Sequence, residues 1–511
     1  MECFLKQYSH LITGVISCFD RVIFKGHLSI SWVDGMERFM ANQGLKIMDF
    51  KRFVENGSRR IQQHAEAMAK RLERPYVYLE RRSRKEDKAR EIAERDGIQE
   101  GLICVLRVVE SCQSYRVVPG VKRPRLIPAV RKCLFFYFYF MDRDFGLMHI
   151  RIQAWFPLTV QIAVNGHEWL ARKLDRHKIA YRKQDNAFLE ISDPKRAQKF
   201  ADRFVGINWP RVLTALAKKV NPLLNDLLAK DEYYWVADQA EYATDVMFRD
   251  KNALQPAYEQ LLRHATLCFS AEDVMKFLGR KPHAGFQGEV LTDSKRKREP
   301  GARVKHRVGE NWIKMYDKFG SVLRIETVIN QPKQFQIRRR GKRQGREIVG
   351  WFPMAKGVAN LYRYAEVSLA ANRRYLEALA AAPTPVPERH AWSRLSGTVR
   401  RNGRTYRGFN PAATEDMRLF KAVLRGEHLL RGFRNREVAR ELFAEPRDAV
   451  RRRRISARVS RLLKRLRMHG FIAKIPRSRR WRVTTDGQVL LANAIHRYDP
   501  THVPTPIAQA A

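Results

Sequence analysis

Acidic residues are scarce in this sequence of 511 residues, and long apolar runs are missing from it. The 98 lysines and arginines outnumber the 53 acidic residues, which leaves a formal net charge of +45. A surplus of this size indicates a polyanionic partner, most often nucleic acid. Because no run of 18 or more apolar residues occurs, the sequence predicts no membrane-spanning helix and no membrane partner.

Cysteine is also rare. The six cysteines are scattered and form no CxxC pair, which argues against a zinc site and against a disulfide framework. The first residues lack a signal-peptide pattern, because Cys18, Asp20, Arg21 and Lys25 interrupt the apolar stretch there. We therefore expect a cytoplasmic protein that is associated with the nucleoid.

Motifs of several common enzyme classes are missing as well. The chain contains no P-loop, no GxGxxG, no GxSxG, no HExxH and no His-hydrophobic-His triplet. These absences argue against ATP hydrolysis, dinucleotide redox chemistry and zinc proteolysis. We accordingly expect no small-molecule substrate.

Residues 15–24 predict a buried strand that carries one interior acid, Asp20. Such a carboxylate is either half of a salt bridge, with Arg21 beside it, or a metal ligand, and the salt bridge is the commoner arrangement. The aromatic run 134–140 predicts a central strand buried on both faces, although an exposed base-stacking platform has the same composition. His167, at the start of a predicted helix, is either catalytic or a helix-cap residue.

Residues 312–330, WIKMYDKFGSVLRIETVIN, predict two strands joined by a turn at 319–321. A period of two gives each strand one apolar and one polar face. A carboxylate for a divalent metal, cations for phosphate charge and a phenol as nucleophile suit phosphate chemistry. The alternative is a salt-bridge ladder on a solvated face. The polar faces carry Lys314, Tyr316, Lys318, Arg324 and Glu326.

Two further acids, Glu241 and Asp245, are four residues apart and therefore share a face in either a strand or a helix. Together with Glu326 they could form a site for a divalent metal, Mg²⁺ or Mn²⁺. The alternative is a pair of surface acids on a helix.

Over residues 160–330, the order of these blocks resembles that of rolling-circle replication initiators of plasmids and phages. There, a strand with spaced acids precedes a Tyr-Asp-Lys strand and then an Arg-x-Glu strand. The matching segments here are 241–245, 316–318 and 324–326, although the first acid is Glu where that family has Asp. The whole chain also resembles an uncharacterised family of bacterial mobile-element proteins.

The resemblance to rolling-circle initiators implies a mechanism. In that family the acids bind a divalent metal, and a tyrosine attacks a DNA phosphate to leave a phosphotyrosine. The resemblance implies Glu241, Asp245 and Glu326 as metal ligands and Tyr316 as the first-choice nucleophile. Lys314 and Lys318 would favour the phenolate, and Arg324 would hold a phosphate oxygen. The rival nucleophiles are Tyr233, Tyr234 and Tyr242.

Residues 333–346 hold seven basic residues and no acid, which favours phosphate contact over an ordinary solvated face. The predicted nucleic-acid contacts in this run are Arg338, Arg339, Arg340, Lys342 and Arg343.

Beyond a Pro-rich segment at 382–390, three helices are predicted, at 414–431, at 436–443 with Asn435 as its cap, and as far as Gly470. The third carries an apolar stripe, and a basic β-hairpin follows it. This order resembles a winged helix-turn-helix domain of the MarR-like kind, over residues 414–495. The stripe consists of Ile455, Val459, Leu462, Leu463 and Leu466.

Residues 451–482 contain fourteen basic residues and no acid, so we expect this domain to contact DNA, although a winged helix can also serve protein contacts alone. The predicted contact residues are Arg454, Arg458, Arg461, Arg465, Arg477, Arg479, Arg480 and Arg482.

The expected fold class is α+β. We predict a core with a mixed or antiparallel sheet and flanking helices, followed by the C-terminal winged helix-turn-helix domain. The predicted divisions are a strand-helix region with a charged helical hairpin (1–100), an α+β core (101–380), a Pro-rich linker (381–413), the winged helix (414–495) and a flexible tail (496–511).

Three functions fit these features. The favoured one is a mobile-element enzyme that nicks or joins DNA strands, duplex or single-stranded, with a divalent metal. The second is a transcriptional regulator without enzymatic activity, and some 380 residues of additional globular chain argue against it. The third is an RNA-binding mobile-element protein.

Overall fold

The computed structural model describes residues 1–498 apart from 81–82, 121–123, 281–288, 296–301, 344, 381, 383–393, 402, 426–427, 429–431, 446–447 and 477. Its helices are α1 (Glu2–Gln7), α2 (Val33–Asn42), α3 (Phe50–Arg71), α4 (Lys85–Arg95), α5 (Gly166–Arg176), α6 (Pro194–Asp202), α7 (Trp209–Val220), α8 (Lys251–Leu267), α9 (Ala271–Phe277), α10 (Leu361–Leu379), α11 (Thr414–Val423), α12 (Asn435–Leu442), α13 (Ala449–Met468) and α14 (Thr485–Tyr498).

The strands are β1 (Ile12–His27), β2 (Tyr76–Tyr78), β3 (Gly101–Val118), β4 (Arg125–Asp142), β5 (Gly146–Gln153), β6 (Val160–Asn165), β7 (Tyr181–Gln184), β8 (Ala187–Ile191), β9 (Tyr234–Phe248), β10 (Val290–Lys295), β11 (Arg303–Val308), β12 (Asn311–Lys318), β13 (Val322–Ile329), β14 (Gln336–Arg343), β15 (Arg346–Pro353), β16 (Val399–Arg401), β17 (Arg404–Tyr406), β18 (Ile472–Lys474) and β19 (Trp481–Val483).

The chain folds into two compact units built from non-consecutive segments. Unit 1 comprises Met1–Val15, Thr244–Thr327 and Leu369–Ala511, and unit 2 comprises Ile16–Ala243 and Val328–Ser368. The predicted divisions follow chain order, whereas each unit draws on segments that are distant in the chain. The predicted linker lies partly outside the described residues, and the predicted tail lies outside them beyond residue 498.

Unit 2 is organised around a sheet with the strand order β9-β1-β6-β5-β4-β3-β2. The β2 and β3 strands pair in parallel, whereas the successive pairs from β3 to β1 are antiparallel, so the sheet is mixed, as predicted. Between β3 and β5, the aromatic strand β4 buries residues 135–139, which confirms the predicted central strand. Helices α2 to α7 belong to the same unit.

Unit 1 contains the predicted hairpin of β12 and β13, which are neighbours in its strand order β10-β11-β12-β13-β9. Phe319 and Gly320 both have positive φ angles, 55° and 80°, as a two-residue hairpin turn of type I′ requires. The apolar face is buried as predicted, with Ile313 and Met315 fully inaccessible. The expectation of an open polar face is wrong for β13, because all eight of its residues are buried.

The C-terminal part of unit 1 has its own apolar core. Helices α11 to α14 and the hairpin of β18 and β19 bury side chains from Leu395 to Ala494 together. The predicted stripe on α13 is confirmed, since Val459, Leu463 and Leu466 are buried and Ile455 and Leu462 pack against them. In the described parts of the chain, no helix combines the length and apolar character that crossing a bilayer requires.

Candidate active site

Two carboxylates meet on neighbouring strands of unit 2. Asp20 lies in β1 and Glu241 in β9, and only 6% and 8% of their surfaces are exposed. Their nearest carboxylate oxygens lie within 4.8 Å of each other. Two like charges this close disfavour each other's ionised form and therefore require donors or a cation to stabilise them.

An amide and an imidazole fix the orientation of Asp20. The amide nitrogen of Asn186 donates to both carboxylate oxygens, at 2.9 and 3.1 Å, and His167 Nδ1 lies 3.0 Å from Oδ1. His167 is fully buried in the first turn of α5, a helix capped by the side chain of Asn165. Asn186 lies in the turn between β7 and β8. These contacts define the rotamer of Asp20.

Glu241 has a cationic neighbour. Arg21 Nη2 donates to Glu241 Oε1 at 3.3 Å, and this carboxylate raises the pKa of Arg21. The Arg21 side chain is 45% exposed, so water screens the pair. The structure pairs Arg21 with Glu241, and His167 and Asn186 contact Asp20.

The two carboxylates line a pocket of about 220 Å³ that lies entirely within unit 2. One wall is α4, where Arg90 bonds to Glu86 at 2.9 Å and reaches Asp185 at 3.7 Å. The charged residues of the lining are four acids and two arginines, namely Asp20, Glu86, Asp185, Glu241, Arg21 and Arg90.

His149 lines the same pocket from β5, with its ring 5.1 Å from that of Tyr139. Burial, assisted by Arg21 and two other nearby cations, lowers the pKa of His149 to about 4. The imidazole is therefore neutral at pH 7 and presents one nitrogen lone pair. With His149 neutral, the lining keeps an excess of negative charge that a divalent cation can balance.

The predicted hairpin cluster is assembled in unit 1. Both the Tyr316 hydroxyl and the Lys314 ammonium group donate to the carboxylate of Glu326, which is 1% exposed. The Lys318 ammonium group lies 5.3 Å from the centre of the Phe319 ring. The structure thus brings three of the predicted site residues into direct contact.

Asp245 and Arg324 form a separate ion pair in unit 1. Arg324 donates from Nε and Nη2 to the two carboxylate oxygens at 2.6 and 2.7 Å, and both side chains are fully buried. The bidentate pair engages both carboxylate oxygens of Asp245, which was predicted as a metal ligand. It also engages the guanidinium of Arg324, which was predicted to hold a phosphate oxygen. These contacts are those of a structural ion pair.

The rival tyrosines differ in exposure. Tyr233 donates to the carbonyl of Leu158 at 2.9 Å and Tyr242 to that of Ser17 at 3.4 Å, and both rings are buried. Tyr234 is 58% exposed. The contacts of Tyr233 and Tyr242 are those of structural side chains.

The predicted basic contacts fall into two groups. The β14 and β15 strands form an isolated hairpin, on which Arg338, Arg339, Arg340 and Lys342 are exposed. The Arg343 side chain and all of Arg477 lie outside the described residues. In the C-terminal part of unit 1, the exposed residues are Arg454, Arg458, Arg461, Arg479 and Arg482.

Three of the C-terminal arginines form contacts within the protein. Arg465 is 9% exposed and donates to the carboxylate of Asp416 at 3.0 and 3.2 Å, so its predicted position on the exposed basic face is wrong. Arg480 is half-buried and donates to the carbonyl of Gly432 at 2.8 Å. Exposed Arg458 forms a surface ion pair with Glu415.

Sequence reasoning missed most of the pocket. Asp20 was indicated by one acid inside an apolar run, and His167 by its place at the start of a helix. Asn186 and His149 gave no recognisable pattern, because each acts through residues distant in the sequence. No family model, no curated protein and no solved structure matches the chain.

Proposed function

We propose that this protein is a nucleic-acid enzyme that cleaves or joins phosphodiester bonds with a divalent metal ion held by Asp20 and Glu241. The observation that supports it is the close pair of buried carboxylates in a pocket with an excess of acid. The net charge of +45 supports nucleic acid as the substrate. We also propose that the protein is cytoplasmic and associates with the nucleoid.

The residues of the pocket fit such an ion. Mg²⁺ and Mn²⁺ prefer oxygen ligands, and Mg²⁺ is commonly held by one or two carboxylates together with waters and substrate phosphates. His167 and Asn186 orient Asp20, as residues beyond the ligands do in metal sites. When bound, the metal would neutralise phosphate charge and lower the pKa of a coordinated water.

We also propose Tyr316 as a candidate nucleophile. A free phenol has a pKa of about 10 and is a weak nucleophile at neutral pH. Glu326 accepts the hydrogen bond of the Tyr316 hydroxyl and is placed to take its proton. Attack on DNA would leave a 5′-phosphotyrosine and a free 3′-hydroxyl.

We further propose that the C-terminal part of unit 1 is a winged-helix DNA reader. Helices α11, α12 and α13 followed by the β18–β19 hairpin have the order of that fold, and they share one core. Exposed Arg454 and Arg461 on α13 would enter the major groove, and Arg479 and Arg482 would contact the backbone. A regulator that only binds DNA is the second candidate function, supported by this region alone.

The test is cleavage of labelled single-stranded and duplex DNA and of RNA with Mg²⁺ or Mn²⁺. We expect wild-type protein to cleave at least one DNA substrate, and Asp20→Asn and Glu241→Gln to lower the rate at least about a hundredfold, as loss of a catalytic electrostatic group does. Both variants should keep the wild-type affinity for duplex DNA, because binding rests on the basic surfaces.

The matched control is Glu190→Gln, an exposed acid on β8 of the same unit that should leave cleavage unchanged. Cleavage at the wild-type rate by Asp20→Asn and Glu241→Gln would reject the pocket as the active site. Tyr316→Phe should remove a covalent protein–DNA band, and persistence of that band would reject Tyr316 as the nucleophile.

A further inference from the structure

The β14–β15 hairpin, called the basic ribbon here, has two different faces. In its antiparallel register, Arg338 lies opposite Trp351, Arg340 opposite Val349 and Lys342 opposite Glu347. Directly opposite residues of a hairpin share a face, and so do residues two apart. Three cations, one acid, an indole and a valine therefore lie together on one face of the ribbon.

The other face of the ribbon is partly covered by one of its own aromatic rings. The Phe352 ring lies over Gly341, where an added Cβ would come within 2.8 Å of it. The Arg339 guanidinium lies 5.0 Å from the centre of the same ring. Glycine at 341 thus lets the ring cover part of this face, whereas Arg339 and Ile348 on the same face are exposed.

The face that carries Trp351 exposes two large apolar side chains. Trp351 is 71% exposed and Val349 is 59% exposed, and Arg338, Arg340 and Lys342 are also exposed. An indole kept in water forgoes a large apolar contribution to stability, and such exposure marks an interaction site. The ribbon carries six basic residues and one acid, so a polyanion complements it.

We propose that the basic ribbon binds single-stranded nucleic acid, with Trp351 stacked on a base and Arg338 and Arg340 on the flanking phosphates. An indole stacks on any base whose face is accessible, and the arginines beside it neutralise the backbone. Bases in an intact duplex are stacked on one another and offer no such face. The ribbon should therefore distinguish single-stranded from duplex nucleic acid, and it should not distinguish base sequences.

This inference deepens the proposed function, because it names the form of the nucleic acid that the enzyme holds. The inference requires only that the protein binds nucleic acid, and it does not require cleavage. Binding can therefore be measured in EDTA, where a failure of the ribbon and a failure of the metal pocket give different results.

The experiment measures fluorescence anisotropy of labelled 20-nucleotide oligothymidylate, oligouridylate and a 20-base-pair duplex with the full-length protein in EDTA. Trp351→Ala should weaken binding of at least one single strand about tenfold or more, the loss expected for one base–aromatic stack. Duplex affinity should change less than twofold. Trp351→Phe, which keeps an aromatic ring, should retain most of the single-strand affinity.

Trp32→Ala is the matched control, since Trp32 is another exposed tryptophan of unit 2, at 57%. It should leave all three affinities unchanged. Replacing Arg338 and Arg340 by Gln should weaken single-strand binding and reduce its salt dependence. The proposal is overturned if Trp351→Ala keeps wild-type affinity for both single strands, or if it weakens duplex binding by the same factor.

Discussion

The two units each bury carboxylates, but they balance the charge differently. In unit 1, Asp245 is matched by one fully buried guanidinium through two parallel hydrogen bonds. In unit 2, two carboxylates, Asp20 and Glu241, lie close together, and an amide and an imidazole contact Asp20. A matched buried pair has little charge left for a ligand, whereas a like-charged pair in a pocket can attract a cation.

Loss of the buried guanidinium should have the largest effect on stability. Arg324→Met leaves the Asp245 carboxylate buried without its counter-charge, which costs about 3–5 kcal/mol. The double variant Asp245→Leu/Arg324→Met should recover most of this loss, because no unpaired charge remains. Urea denaturation followed by circular dichroism measures all three proteins.

Arg21→Met is the comparison in unit 2. Arg21 is 45% exposed and its bond to Glu241 is 3.3 Å long, so its removal should cost under about 1 kcal/mol. Similar losses in the free energy of unfolding for Arg21→Met and Arg324→Met would contradict the distinction between a structural ion pair and a ligand-binding one.

His167 should have the next largest effect, on metal affinity. It contacts Asp20 through Nδ1, and residues that orient a metal ligand in this way contribute about 10–100-fold to affinity. His167→Ala should weaken Mn²⁺ binding by such a factor in isothermal titration calorimetry. His167→Asn, whose amide nitrogen lies near the position of Nδ1, should retain more of it.

Both His167 variants alter a fully buried site, so their unfolding transitions must be recorded beside the titrations. His177→Asn, at the exposed end of the same helix, is the matched control and should bind Mn²⁺ normally. If His167→Ala binds Mn²⁺ as tightly as wild type, the carboxylate pair is not the metal site.

The sequence was sufficient for features set by local patterns. The period of two and the Phe-Gly turn identified the hairpin of β12 and β13, and the period near 3.6 identified the apolar stripe of α13. Periodicity assigns a residue to a face but does not say what covers that face. Arg324 and Arg465 were both expected to be exposed. Both are buried, and each pairs with an acid from another element, Arg324 with Asp245 and Arg465 with Asp416.

The pocket depended on pairings that no local pattern encodes. Asn186 and Asp20 are 166 residues apart, and His167 and Asp20 are 147 apart. Glu241 was recognised as a candidate ligand, but its closeness to Asp20 was not. A single sequence gives no information about which distant strands become neighbours.

A smaller effect than that of Arg324→Met is expected for Asp317, near the end of β12, a carboxylate without a close ion pair among the described contacts. It accepts the Gly320 backbone N–H at 2.9 Å, yet burial raises its pKa to about 6. The unfolded value is near 3.8, so between pH 4 and 6 the native state binds more protons than the unfolded state. Stability therefore falls as pH rises through this window and levels off above it. The full shift corresponds to about 3 kcal/mol, and partial exposure reduces the expected loss to about 1–2 kcal/mol.

Asp317→Asn keeps the hydrogen-bond acceptor and should remove this loss, which urea denaturation at pH 4 and pH 7 measures. Glu259→Gln, an exposed acid on α8, should leave the loss unchanged. An undiminished loss in Asp317→Asn would show that burial of a lone carboxylate in unit 1 carries little cost, and would remove the contrast with the paired Asp245.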